Sequence, residues 1–403
     1  MRSLITAAAV LTVSLAGIPA QAAGPPAEAQ RVDRVPTPVL RWQPCEERFE
    51  CATAPLPLDY DDPDGAQVEV ALLRHRATDP ARRIGSLFVN PGGPGSSATD
   101  MAMGLPDFLS PEVVARFDIV GVDPRGVGDS WQVRCFGSAE EQQRVTAPFT
   151  GPGRGPYTRA EVRKAVASAR TIGVSCAAAT GGLAAAASTA QVARDMDVLR
   201  RAVGDARLTY LGVSYGSYLG QVYAAMFPGR VRAIAIDGIV DPAAWAGTPA
   251  TRDVPTFVRM GSAAASHRVL RELLQRCDRA GESRCGFAGG DFDTIAERLQ
   301  RAPVTLPDGR DYTYPMLVSQ TLQQLYQPDA ADHVIPNLVD LRALTDPYAE
   351  PARREAARKS LAERLEPAPG GYHNEFEAAA AVFCSDGWHA RDAASWPAAA
   401  AAA

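Results

Sequence analysis

Residues 210–220 read YLGVSYGSYLG, and within them Gly212-Val213-Ser214-Tyr215-Gly216 matches the G-x-S-x-G pattern of a nucleophile turn. A serine hydroxyl in that setting attacks a carbonyl carbon, which is the chemistry of acyl transfer. Small residues must flank it, because a sharp strand-to-helix reversal brings neighbouring backbone close enough for a Cβ to clash. Acyl transfer also needs two N–H groups aimed at the oxyanion that develops on the attacked carbonyl. The stretch NPGGPGSS, Asn90 to Ser97, has the glycine content that lets backbone approach a substrate. One oxyanion donor is assigned to Gly93 and the other to Tyr215, the residue after the nucleophile. A third motif, DPRGVGDS from Asp123 to Ser130, reads as architecture, with Asp123 and Arg125 fixing a loop through hydrogen bonds and an ion pair.

These motifs work together only if several strands end at one edge of a sheet. The runs VEVALLRH, GSLFVN, FDIVGVD, LTYLGV and VRAIAID are short, apolar and β-branched, and each stops near Gly, Pro, Asn or Asp. Runs so continuously apolar suit strands buried on both faces of a parallel sheet. Between the third and fourth lies STAQVARDMDVLRRAVG, where Val192, Met196, Leu199 and Val203 recur at helical spacing, Ser188 is the N-cap and Gly204 the stop. Strands alternating with helices predict an α/β fold with a mostly parallel sheet. After Asp241-Pro242 the pattern turns helical, in HRVLRELLQRC, FDTIAERLQ, SQTLQQLY and EPARREAARKSLAERLE. The expected organisation is an exposed lead-in over 23–38, a core over 39–241, and a helical lobe with a low-complexity tail over 242–403.

The first residues carry a basic Arg2, an apolar stretch from Leu4 to about Ala16 and the small-x-small site Ala20-Gln21-Ala22. They read as a secretory signal peptide over 1–22, too short in its apolar part for the roughly 20 residues of a membrane span. The expected location is therefore extracellular, with no membrane association after cleavage. A net charge of −5 and the lack of a basic block argue against nucleic acid as a partner. Seven cysteines in an exported chain suggest disulfides. Proximity favours Cys45 with Cys51 and Cys277 with Cys285; Cys135 and Cys176 form a natural third pair, and Cys384 is left alone.

In order and spacing, NPGGPG, DPRGVGDS, GVSYGSYLGQVYAAMFPGRV and IDGIVDP resemble the secreted tripeptidyl and prolyl aminopeptidases of the α/β-hydrolase superfamily. The resemblance covers Val39 to Asp241 closely and the lobe to about Asp386 more loosely. It implies an α/β-hydrolase fold with an inserted helical cap, and a serine exopeptidase that hydrolyses peptides from a free N-terminus. It implies Ser, Asp and His as the catalytic set, a peptide as the substrate, and neither metal nor cofactor. Recognition of a free N-terminus needs acidic groups, for which Glu375, Glu377 and Asp386 are the candidates.

In that fold the acid and the histidine follow the nucleophile in chain order, and the resemblance places them on loops after the last two strands, beyond the cap. No strand ending in a Gly-Asp-type turn follows Cys384, and no glycine-flanked histidine follows that. In the resembled family a cysteine at the FCSDG position pairs with one further on. The expectation is a shortened member of the family, lacking its final strands, acid and base, and inactive unless these come from elsewhere. Within the chain, His389 is the one histidine past the cap helices, with no final strand before it, and Asp237 ends the run AIAID beside Gly238. Two alternatives share the same motifs: an esterase or lipase of the same fold, and a secreted binding protein without catalysis.

Overall fold

The computed structural model describes residues 27–150, 159–365, 371–390, 392 and 395. The signal-peptide segment and most of the low-complexity tail lie outside the described residues. The chain builds a seven-stranded sheet, β1 (Gln43–Glu46), β2 (Phe49–Pro57), β3 (Gln67–His75), β4 (Gly85–Asn90), β5 (Phe117–Val122), β6 (Leu208–Val213) and β7 (Val231–Asp237), in the order β1-β2-β3-β5-β4-β6-β7. β4 pairs in parallel with β5 on one side and β6 on the other, and β6 pairs in parallel with β7. β1, β2 and β3 continue the sheet antiparallel. Among the described residues no strand lies beyond β7 in this sheet.

The helices before the lobe are α1 (Ala27–Asp33), α2 (Ala98–Gly104), α3 (Pro111–Arg116), α4 (Ala139–Thr150), α5 (Arg159–Ala179), α6 (Thr189–Ala202) and α7 (Tyr215–Met226). Strand residues alternate between two cores, as the two-residue period of a strand requires. Leu73, Leu87, Val89 and Ile119 face Ala102 of α2 and Val114 of α3. Leu72, Phe88, Val120 and Val122 face Val192, Met196 and Leu199 of α6, and Leu219 and Tyr223 of α7. The α6 reading holds in detail, since the Ser188 side chain accepts from the Gln191 amide and Gly204 takes a φ of 87° after the last turn.

Beyond β7 come α8 (Pro242–Ala246), α9 (Thr256–Arg259), α10 (Ser262–Ala280) and α11 (Phe292–Arg301), then the short hairpin β8 (Val304–Thr305) and β9 (Asp311–Tyr312). The lobe ends with α12 (Tyr314–Gln324), α13 (Ala330–Thr345), α14 (Pro351–Arg364) and α15 (Glu375–Asp386). Leu270, Leu274, Ile295, Leu299, Leu338 and Leu341 are among the residues that pack a separate lobe core.

The lead-in read as exposed departs from that reading over its middle. Ala29 and Val32, one helical turn apart in α1, are buried against the core, and Glu28 pairs with Arg194 of α6. The strands β1 and β2 were hidden by prolines at 44, 55 and 57, which suit an edge hairpin better than a central strand. The disulfides are Cys45–Cys51, Cys135–Cys176 and Cys277–Cys285, with Cys384 free and exposed, which is the expected pairing.

Candidate active site

The strand order brings the site together. Because β4 lies between β5 and β6, the chain leaves the C-terminal ends of β4 and β5 in opposite directions, and a crevice opens outside them. In register, Asn90 at the end of β4 sits beside Gly212 in β6, so NPGGPG and the serine turn emerge side by side.

Ser214 adopts φ 57° and ψ −123°, and among the described residues it is the one non-glycine residue with positive φ. Such a conformation costs on the order of 1–3 kcal/mol and persists only where its surroundings impose it. Here the Ser214 amide donates to the Asp237 carbonyl at 2.9 Å, and Ser217 Oγ donates to the Ser214 carbonyl at 2.6 Å. A Cβ on Gly212 would stand 2.3 Å from the Gly216 carbonyl oxygen, and one on Gly216 would stand 2.5 Å from that of Asn90. That is why both flanking positions are glycine.

The glycine loop lies directly on this turn, since a Cβ on Gly92 would meet Ser214 Cβ and the Tyr215 amide nitrogen, both at 2.9 Å. The Gly92 amide is spent on Asn90 Oδ1 at 3.0 Å, whereas that of Gly93 has no acceptor among the described residues. Tyr215 opens α7, where an amide has no intrahelical acceptor. The two assigned oxyanion donors are thus both free to donate.

Asp123, fully buried at the end of β5, holds the loop in place. Its Oδ1 accepts from Ser97 Oγ and the Ala98 and Thr99 amides at 2.7–3.0 Å, and its Oδ2 accepts from the Asp129 amide at 2.8 Å. One carboxylate therefore joins NPGGPGSS to DPRGVGDS. Arg125 supplies the ion pair, with Asp195 of α6 as its partner at 2.6 Å, and donates to the Pro57 and Leu58 carbonyls.

The three acidic candidates end in different surroundings. Glu375 is exposed and accepts from Ser96 Oγ at 2.8 Å. Its backbone carbonyl oxygen lies where a Cβ on Gly95 would come within 2.6 Å, so α15 starts on the glycine loop. Glu377 is 0% exposed and accepts from Gln142 Nε2 at 2.9 Å and Tyr372 Oη at 2.6 Å. Asp386 accepts from the Thr189 amide at 2.7 Å, Thr189 Oγ1 at 2.5 Å and Trp245 Nε1 at 3.1 Å. Burial pushes its carboxyl above the usual range, against those hydrogen bonds. Of the three candidate ammonium ligands, Glu377 and Asp386 are thus held by protein donors, and Glu375 is the exposed one.

No side chain among the described residues hydrogen-bonds the Ser214 hydroxyl. His75 pairs in register with Ile119, toward the N-terminal end of β5 and away from the serine turn. His389 Nε2 meets the Phe383 carbonyl oxygen, and His267 and His333 lie on lobe helices. Asp237 accepts from the Gly238 amide at 2.7 Å, as a turn residue does. The residues that sequence reasoning passed over are mostly anchors. Asn90 stood in plain view inside the glycine motif, whereas Gln142 and Tyr372 sit far from it in sequence and carry no local signal.

A family model described as alpha/beta hydrolase fold matches residues 85–266. The chain is 32% identical over 369 residues to the serine protease Hip1 of Mycobacterium tuberculosis, covering 86% of this chain and 66% of that protein. It is 31% identical over 393 residues to a carboxylesterase B of Mycobacterium tuberculosis, covering 91% and 69%. It is 35% identical over 212 residues to a tripeptidyl aminopeptidase of Streptomyces lividans, covering 50% and 38%. The chain thus spans about two thirds or less of the length of these relatives.

Proposed function

This chain belongs to the α/β-hydrolase family, and from that premise we propose that it is a secreted serine peptidase that works at free peptide N-termini. The observation that carries the reading is Ser214 held at φ 57° between β6 and α7, beside two uncommitted amides. In this mechanism Ser214 Oγ forms a bond to the carbonyl carbon, and the oxyanion accepts from the Gly93 and Tyr215 amides. Collapse of the intermediate breaks the C–N bond, the amine leaves with a proton, and water later hydrolyses the acyl-enzyme. The serine proton must pass to a base, which the described residues do not place against Ser214, so the reaction requires one from outside them. Glu375, exposed and fixed to the oxyanion loop through Ser96, is the group suited to a substrate ammonium. The names of the mycobacterial serine protease and the Streptomyces aminopeptidase support peptide hydrolysis. The disulfides support an extracellular location.

Labelling of the full chain by a fluorophosphonate probe, read by intact mass with Ser214→Ala as control, tests the nucleophile. Stoichiometric labelling lost in the variant supports the nucleophile and would show that this chain supplies its own base; a folded chain that stays unlabelled overturns an active serine in the chain by itself. For specificity, a free-amine Ala-Ala-Pro anilide should be cleaved and its N-acetylated form should not. The relative named carboxylesterase B, matched over 91% of this chain, favours one second reading, an esterase. Equal turnover of the acetylated anilide, together with faster turnover of a simple aryl ester, would establish that reading instead.

A further inference from the structure

Tyr215 has two parts with different jobs. Its amide is an oxyanion donor in the reading above, on which this inference rests, while its ring is buried at 2% exposure. The ring lies 5.4 Å from that of Trp245 and 6.2 Å from that of Tyr218, centroid to centroid. Its hydroxyl lies 2.6 Å from Thr189 Oγ1, which in turn lies 2.5 Å from Asp386 Oδ2. An ionised carboxylate only accepts, so Thr189 donates to Asp386 and accepts from Tyr215, and all the protons point toward the carboxylate. Trp245 Nε1 donates to the same Oδ2 at 3.1 Å. Asp386 therefore holds Tyr215 twice, once through the Thr189 hydroxyl and once through the Trp245 ring tilted against it.

Apolar packing alone would fill this space without setting the rotation of the tyrosine ring. Aligned hydrogen bonds do set it, and each bond in such a chain polarises the next. Because the ring hangs from the first residue of α7, its placement carries over to the amide next to Ser214. We propose that Asp386, at the end of α15, is a positioning residue that orients the Tyr215 amide for the oxyanion through Thr189 and Trp245. The same bonds join the last described helix to α6, α8 and the nucleophile turn.

The test uses the full chain with two readouts. Asp386→Asn keeps the shape but presents an N–H₂ group to donors, so at least one of the three bonds is lost. Thr189→Val removes the relay hydroxyl, and Thr189→Ser keeps it. Hydrogen exchange of the peptide spanning 211–218, read by mass spectrometry, should be about tenfold faster in Asp386→Asn and Thr189→Val, as loss of a hydrogen bond to a charged group implies. Fluorophosphonate labelling should show a kinact on the order of tenfold to a hundredfold lower at similar KI. Thr189→Ser should restore both. A merely structural contact would lower the melting temperature without splitting kinact from KI. Wild-type exchange at 211–218 in folded Asp386→Asn and Thr189→Val overturns the proposal, as does a Thr189→Ser variant as impaired as Thr189→Val. If Asp386→Asn does not fold, the Thr189 pair decides. If wild type never labels, the serine of this chain by itself is not activated, and the exchange arm still decides whether Asp386 controls the turn.

Discussion

Arg125 and Asp195 in the sheet core meet at 2.6 Å with 0% and 2% of their side chains exposed, whereas Arg276 and Glu272 on lobe helix α10 meet at 2.5 Å with 71% and 60% in water. The first pair is surrounded by further partners, since Tyr60 Oη donates to Asp195 and Arg125 donates to backbone carbonyls. The second is an i,i+4 pair of the kind worth about 0.3–0.5 kcal/mol. The lobe is held instead by apolar side chains such as Leu299, Leu338 and Leu341. The core has a burden that the lobe lacks. It must place two loops and one strained serine against each other, and buried hydrogen bonds fix direction where apolar contact fixes only proximity.

The comparison can be broken most forcefully at Asp195. Asp195→Ala leaves Arg125 charged and buried and should cost about 3–5 kcal/mol, read as a lower denaturation midpoint. A loss near that of a surface pair would show that the buried network does not carry the core. Next in size, Leu341→Ala in the lobe, where Leu341 is 0% exposed, should cost toward the lower end of about 2–5 kcal/mol. Hydrogen exchange at 211–218 should stay as in wild type if lobe and core are separate units; equal acceleration there would merge them.

Smaller again, Ser214→Gly removes a side chain held at φ 57° and should stabilise the fold by about 1 kcal/mol while abolishing labelling. No gain in stability would mean that the turn is not strained. The smallest effect is in pH dependence. Hydrogen bonding to Arg76 holds the Glu50 carboxyl below the usual range, against the opposing effect of burial, and Arg74 adds to the lowering. A lowered carboxyl contributes stability above its unfolded pKa and loses it as pH falls through the folded one. Melting temperature should therefore fall with acid between those two values, and by less in Glu50→Gln. Identical slopes would remove Glu50 from the stability of the β2–β3 pair.

Much of this molecule was legible from local pattern. The strands from Val68 onward, α6 with its Ser188 cap, the helices after Pro242 and the two short-range disulfides follow from local periodicity and cysteine spacing, and Cys135–Cys176 is the pair these leave. The edge hairpin and α1 were not, because prolines and charges mask a period that matters on one face only. The α4–α5 pair, whose second helix supplies Cys176, also went unread, in a stretch where alanine and arginine blur the apolar stripe.

The sequence by itself determined the serine turn and the glycine loop, because the bulk of a Cβ acts over a few residues and excludes other choices at 212 and 216. Only the tertiary structure decided what the acids of α15 do. Glu375, Glu377 and Asp386 share one helix and are alike as carboxylic acids, yet one lies in water beside Ser96, one is sealed against Gln142 and Tyr372, and one holds Thr189 and Trp245. A carboxylate takes its role from the donors and solvent around it, and here most of those donors come from segments more than a hundred positions away along the chain.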